Sequence, residues 1–254
     1  MNHVLVTGAA GAIGGALARE MRAAWPAARF ALLDLDAAAL APLASTLGNA
    51  SAHAVDLRDV DTLPAVVTEI ARAAPLDGLV NCAGVMRVQH VASWSWQHAS
   101  DLLAIDLLAP LRLQDLVVRG MVEARRGLVI NVSSIAGKVP LKGCAYYGAA
   151  KAGLAIASEI ARAELAAHGV QVITVYPGPV KSALEQGARD AYGGGGLFGR
   201  FAPVGEPAEL ARRIMTAIAK DEPRVIYPRL YNVGWSATAL ATRFALAFGP
   251  PAVS

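Results

Sequence analysis

The segment HVLVTGAAGAIGG, His3 to Gly15, decides the fold. It opens on a short apolar run. Glycines follow at positions 8, 11 and 14, and the chain then passes into an amphipathic stretch near 12–24. A glycine turn between a buried strand and a helix lets the backbone approach a bound pyrophosphate, and the helix beyond it offers free N–H groups and a positive dipole end. Gly8, Gly11 and Gly14 meet that need, with Ala12 and Ile13 set among them. Any tight strand-to-helix turn also favours glycine, so the meaning of this one depends on what lies downstream.

Downstream, short apolar runs alternate with longer amphipathic or Ala-rich stretches. Strands are predicted near 3–7, 29–34, 52–56, 77–81, 127–132, 170–175 and 224–227, and helices near 12–24, 37–47, 60–73, 95–124, 146–168 and 207–219. Runs this apolar suit strands covered on both faces, and repeated β-α order implies an α/β fold: a Rossmann-like, doubly wound parallel sheet of about seven strands. No Ser/Pro-rich linker divides the chain, so residues 1–230 read as one domain, followed by an apolar tail over 231–254.

Composition narrows the function classes. Of 254 residues 55% are hydrophobic, and the mean hydropathy of +0.41 is too apolar for disorder. Net charge is only +3 and the basic residues are scattered, which argues against a nucleic-acid partner. The two cysteines, Cys82 and Cys144, read as free thiols of a reducing compartment, and the five histidines have no metal-ligand spacing. With a β-type run beginning at His3, a cytoplasmic location is expected.

The second strand ends at Asp34, 20 residues beyond Gly14. That is the separation expected of a carboxylate accepting hydrogen bonds from an adenosine ribose. The same carboxylate repels a 2′-phosphate, and neither the glycine turn nor the residues just after Asp34 supply Arg or Lys, so NAD is the expected cofactor. The alternative for Asp34 is a helix cap, a role that Asp36 is also placed to fill.

Further motifs follow in chain order: Asp56-Leu57, Asn81-Cys82-Ala83-Gly84, Ser134 in NVSSIAG, Tyr147-Gly-Ala-Ala-Lys151, and Pro177-Gly178. With Thr7-Gly8-Ala9-Ala10-Gly11-Ala12-Ile13-Gly14, they resemble the short-chain dehydrogenase/reductase family over roughly residues 3–220. Ala12 stands where that family's TGxxxGxG motif has its middle glycine. The resemblance implies that Asp56 and Leu57 hold adenine, that Asn81, Ala83 and Gly84 border the cofactor, and that Val180 offers its backbone to the carboxamide beside Ser182. It makes Tyr147 the proton carrier, Lys151 its electrostatic partner and a ligand of the nicotinamide ribose, and Ser134 the hydrogen-bonding partner of the substrate oxygen. The expected substrate is a small-molecule secondary alcohol or ketone, and the expected assembly a homodimer or homotetramer.

The chemistry accounts for these residue types. A tyrosine of ordinary pKa near 10 is a poor base at neutral pH. Tyr147 and Lys151 are one helical turn apart and share a face. An ammonium ~4.5 Å from the phenolate is expected to lower the tyrosine pKa by about two to three units. Only Tyr147 has Lys four positions later; the neighbouring Tyr146 does not and should pack or line the pocket.

Two departures stand out. The family usually has Asn in the long helix before the fifth strand, where IDLLAP places Asp106. If the backbone carbonyl holds a relay water, Asp106 substitutes; if the side-chain amide matters, the relay is altered and the carboxylate shifts the Lys151–Tyr147 balance. The second departure is the tail, where VIYPRLYNVGW replaces a TGxxxxxDGG-like signature. Its apolar stretch from Tyr231 to Phe248 suits a helix on the core or on another subunit, peripheral membrane contact, or a membrane span.

Residues 85–95, 135–144 and 182–203 should border the substrate, with Arg87, Lys138 and Lys142 as the nearby cations. They are mostly small and apolar, which favours an apolar substrate. Glycines 193–196 make 182–203 either a mobile lid or a plain surface loop. Against the oxidoreductase stands a reading of another class: a dinucleotide-binding regulator or interaction protein with little turnover.

Overall fold

The computed structural model describes residues 1–193 and 203–248. Seven parallel strands run β1 His3–Thr7, β2 Arg29–Asp34, β3 Ala50–Ala54, β4 Gly78–Asn81, β5 Gly127–Val132, β6 Val170–Pro177 and β7 Arg224–Tyr227. Their order in the sheet is β3-β2-β1-β4-β5-β6-β7. The chain therefore winds outward from β1 in one direction, then from β4 in the other. The reversal leaves a crevice beyond the carboxyl ends of β1 and β4, where open α/β sheets bind ligands.

Alternate side chains explain why the sheet is covered twice. Val4 and Val6 join Leu17, Phe30, Leu32 and Ile214 on one face. Leu5 joins Leu33, Val67, Leu79, Leu113 and Val129 on the other. Each fully buried side chain of this size contributes about 1.5–3 kcal/mol. The first face is covered by α1 (Ala12–Ala24), α2 (Ala37–Leu47) and α8 (Pro207–Lys220); the second by α3 (Leu63–Ala71), α5 (Ala109–Glu123) and α6 (Ala145–Leu165). The remaining described helices are α4 (Trp96–Leu103), α7 (Ala183–Ala191), α9 (Tyr231–Ser236) and α10 (Thr238–Phe248).

Three predicted elements differ. The third strand lies at 50–54 rather than 52–56, in register with Phe30–Asp34. It is an edge strand with no buried residue, so its sequence lacks the apolar run that marks the others. The helix expected over 95–124 is divided by a π-helical turn, Ala104–Leu108, with Asp106 at its centre. The tail is two helices rather than one. Of these α10, at 11 residues, spans only ~16 Å at 1.5 Å per residue, and no helix among the described residues is long and apolar enough to cross a membrane. Of the expected lid, 182–193 and 203 are described, and they include α7; glycines 194–196 lie outside the described residues.

Candidate active site

The glycine turn is shaped by contacts that no side chain tolerates. Gly8 has φ +63°, and a Cβ there would meet the Ala83 Cα at 2.7 Å. A Cβ at Gly14 would lie 2.3 Å from the Gly8 carbonyl oxygen. The turn and α1 are thus pressed together, and against the loop after β4. Gly11, the N-cap of α1, has no side chain to cap it, and the first turn of α1 holds no acidic residue. Its N–H groups and positive dipole end stay available to an anion. Thr7 joins the two central strands here: its hydroxyl oxygen accepts from the backbone N–H groups of Cys82 and Ala83, each at 3.1 Å. This cradle fits a dinucleotide pyrophosphate.

Asp34 is not a cap. Asp36 fills that role, accepting from the Ala38 N–H at 2.8 Å. The Asp34 carboxylate accepts instead from the Ala10 N–H in the glycine turn (3.0 Å) and the Leu35 N–H (2.9 Å). Each oxygen keeps a lone pair for a ribose hydroxyl. Farther along the same end, Asp56 is gripped by the Arg58 guanidinium, whose Nε lies 3.0 and 2.9 Å from its two oxygens. That grip holds the Asp56 carboxyl below its usual pKa.

Both ends open into one cleft of about 910 Å³. Every residue singled out for the cofactor or the chemistry lines it, except Asn81 and Asp106. The Asn81 amide is buried beneath the floor and donates to the Asn131 side-chain oxygen (2.8 Å) and the Pro110 carbonyl (3.2 Å), so it ties β4 to β5 and α5. The bridge between Val180 and Gly205 uses the backbone groups of Pro179 and Lys181, leaving the Val180 amide outside it. Ser182 caps α7, accepting from the Glu185 N–H at 3.1 Å.

At the other end of the cleft, Ser134, Tyr147 and Lys151 converge. Ser134 stands close enough to Tyr147 to favour its ionised form. The Lys151 ammonium donates to the Val132 carbonyl at 3.2 Å and lies 5.9 Å from the Tyr147 ring centre. Asp106 approaches Lys151 from the π-helical turn, its Oδ2 3.5 Å from Nζ, while its Oδ1 accepts from the Val85 N–H at 2.8 Å. Burial opposes the Lys151 charge, but Asp106 and Tyr147 outweigh it and the lysine pKa rises. The Tyr147 pKa also rises: burial disfavours the phenolate, and Asp106 works against the pull of Lys151. The expected fall of two to three units is therefore reversed in direction. The sequence expectation of a lowered value left out burial; the influence of Asp106 on the Lys151–Tyr147 balance is the one that departure implied.

Sequence reasoning also misjudged the cations. Arg87 pairs with His98 (2.5 Å) and Lys138 sits over the Trp235 ring (4.7 Å); neither they nor Lys142 line the cleft, whereas Arg58, Lys151 and Arg189 do. Arg189 is held by Glu185 at 2.6 Å along α7. Tyr192, just after α7, donates to the Lys142 carbonyl at 2.6 Å and meets the Cys144 sulfur at 3.2 Å, closing the wall on that side. No spacing rule marks Tyr192 in advance. Tyr146 packs edge-on against Trp94 with centroids 5.0 Å apart. Burial pushes the Cys82 thiol up to about 12, so it is no nucleophile at neutral pH.

Residues 2–193 match the family model described as short chain dehydrogenase. The chain belongs to the short-chain dehydrogenase/reductase family. Curated members similar to this short-chain dehydrogenase include D-threitol dehydrogenase of Mycolicibacterium smegmatis, 36% identical over 82% of this chain and 83% of that one. Another is the 3-oxoacyl-[acyl-carrier-protein] reductase FabG of Vibrio cholerae, 32% identical over 73% and 76%. Among solved structures, a metagenomic short-chain oxidoreductase in complex with NADP superposes with a TM-score of 0.73 at 29% identity, covering 89% of this chain and 96% of that one. The short-chain dehydrogenase fold and an oxidoreductase that uses a nicotinamide cofactor follow from membership. One named relative is a D-threitol dehydrogenase and the other a 3-oxoacyl-[acyl-carrier-protein] reductase, so substrate choice here rests on this chain's own cleft.

Proposed function

We propose that this protein exchanges a hydride between NAD(H) and an apolar secondary alcohol or ketone. The observation that carries the reading is the convergence of Ser134, Tyr147 and Lys151 on one wall of a cleft whose far end holds the glycine turn and Asp34. The nicotinamide, when bound, supplies or accepts the hydride. Ser134 donates a hydrogen bond to the substrate oxygen and stabilises charge developing there. Tyr147 gives its hydroxyl proton to that oxygen in reduction and takes it back in oxidation. Lys151 holds positive charge on the same helix face. Val85, Met86, Leu141, Leu184 and Tyr192 give the cleft its apolar walls and exclude water.

Support for NAD over NADP comes from Asp34, whose two oxygens are oriented beside the glycine turn by the Ala10 and Leu35 N–H groups. Arg58, the guanidinium lining that end, is engaged by Asp56. Replacing Asp34 by Asn keeps its shape and removes its charge. The ratio of kcat/KM for NAD⁺ over NADP⁺ should fall by about tenfold, as expected for loss of one repulsion of about 1.4 kcal/mol; an unchanged ratio overturns the assignment.

The direct test follows absorbance at the NADH band with NAD⁺ or NADP⁺ against steroids, long-chain alcohols, hydroxy acids and polyols. NADH formation with the apolar alcohols supports the reading. Turnover confined to polyols refutes the substrate class, and faster turnover with NADP⁺ refutes the cofactor.

A further inference from the structure

We propose that Asp106 is a positioning residue that biases this site toward carbonyl reduction, by holding the Lys151 ammonium in a buried ion pair and so withdrawing its charge from Tyr147. The inference rests on the reading of Tyr147 as the proton carrier.

The carboxylate is wholly buried, at 0% exposure. It reaches Lys151 because the π-helical turn over 104–108 sits against α6; such one-turn widenings of a helix recur at functional sites. One oxygen is fixed by the Val85 N–H. The other has no hydrogen-bond partner and faces the Lys151 ammonium at 3.5 Å. Burial raises the Asp106 pKa, and the Lys151 ammonium that faces it and the Val85 N–H pull it back toward the carboxylate. The ammonium therefore sits between the Asp106 carboxylate and the Val132 carbonyl, in an ion pair whose negative end offsets its field at Tyr147.

From Tyr147 the pair looks like a dipole rather than a free cation. The groups facing Tyr147 are Lys151 on its own helix, Asp106 from the π-helical turn, Ser134 from the loop after β5 and Cys144 from the segment before α6. Cys82, from the loop after β4, faces Lys151. Burial, Asp106 and Cys144 favour the neutral phenol; Lys151 and Ser134 favour the phenolate; the balance falls to the phenol. In reduction the carbonyl carbon gains a hydride with its electron pair from the reduced cofactor, which is thereby oxidised. The oxygen gains the Tyr147 proton, and Tyr147 is reprotonated from solvent. A protonated Tyr147 is ready for this step at neutral pH. Oxidation needs the phenolate, so its rate should climb with pH through the raised pKa.

Asp106→Asn separates charge from structure, because the amide oxygen can still accept from the Val85 N–H. The pH midpoint of kcat/KM for alcohol oxidation should move down by about one unit, giving roughly tenfold faster oxidation below the midpoint. The alkaline limb of carbonyl reduction should move down with it. A purely structural role would lower kcat/KM at every pH and leave the midpoint in place, and that result overturns the proposal. If Asp106→Asn does not fold, the unmodified protein decides: its oxidation should keep rising through the ordinary tyrosine range near pH 10, and a plateau below that range overturns the inference. An unmoved midpoint alongside an inactive Tyr147→Phe protein removes this inference alone; a Tyr147→Phe protein that still turns over removes the parent reading as well.

Discussion

Replacing Tyr147 by Phe is expected to cut turnover by about 10²–10⁴-fold while leaving dinucleotide affinity within about threefold, because a positioned proton carrier contributes on that scale. The ring is buried at 7% exposure, and phenylalanine fills its volume, so the fold should persist. What is lost is the proton on the wall where Ser134 and Lys151 converge. Stopped-flow single turnovers with reduced cofactor, alongside fluorescence titration of NADH, separate the chemical step from binding. Turnover within tenfold of the unmodified enzyme would place the proton carrier elsewhere. If neither protein reacts with any substrate while both bind NADH, weight passes to the regulator that keeps the fold but has little turnover.

Gly14→Val should damage both the fold and the cofactor cradle. Its Cβ would stand 2.3 Å from the Gly8 carbonyl oxygen, and that obstacle is backbone, which cannot rotate away. Either α1 lifts from the glycine turn or the turn itself opens. Overpacking of this kind costs about 3 kcal/mol or more, equivalent to a fall in Tm of roughly 6–12 °C for a domain of this size. The displaced helix N-terminus also spoils the pyrophosphate cradle, so NADH binding should weaken by at least about 100-fold, well beyond the loss of stability. Gly120→Ala is the matched control. No atom outside its own helix lies within 4 Å of a Cβ there, so the change should be neutral or stabilising by up to about 1 kcal/mol. Equal Tm values for Gly14→Val and Gly120→Ala would refute the steric argument.

What the sequence made legible was local. The glycine turn follows its strand at once, Asp34 ends the next strand, and Tyr147 and Lys151 share a helix face because four residues make about one turn. Spacing alone carries such relations, and the seven-strand parallel sheet followed from the same kind of pattern. The edge strand β3 was misplaced because water replaces one of its packing partners, leaving no apolar run to mark it. The π-helical turn at 104–108 differs from an α-helix by one residue per hydrogen-bonded ring and has no sequence mark. Reading Tyr147 as acidified failed chiefly because burial, which spacing does not reveal, disfavours the phenolate; Asp106, already marked in the sequence as able to shift the balance, adds to it. Tyr192 was missed because what it touches is decided by where α7 docks, and the Glu185–Arg189 pair, four residues apart on one helix, because no helix was predicted over 183–191.

The helix α9 packs against the wall of the cleft. The Tyr231 ring covers Gly178, where an added Cβ would meet it at 2.7 Å, and Trp235 stands edge-on to Tyr176 with centroids 4.4 Å apart. A ribosome releasing this chain therefore exposes Ser134, Tyr147, Lys151 and the glycine turn well before it releases the segment that backs Pro177-Gly178. The nascent protein owns its reactive groups before it owns the rings that brace Tyr176 to Gly178 from behind.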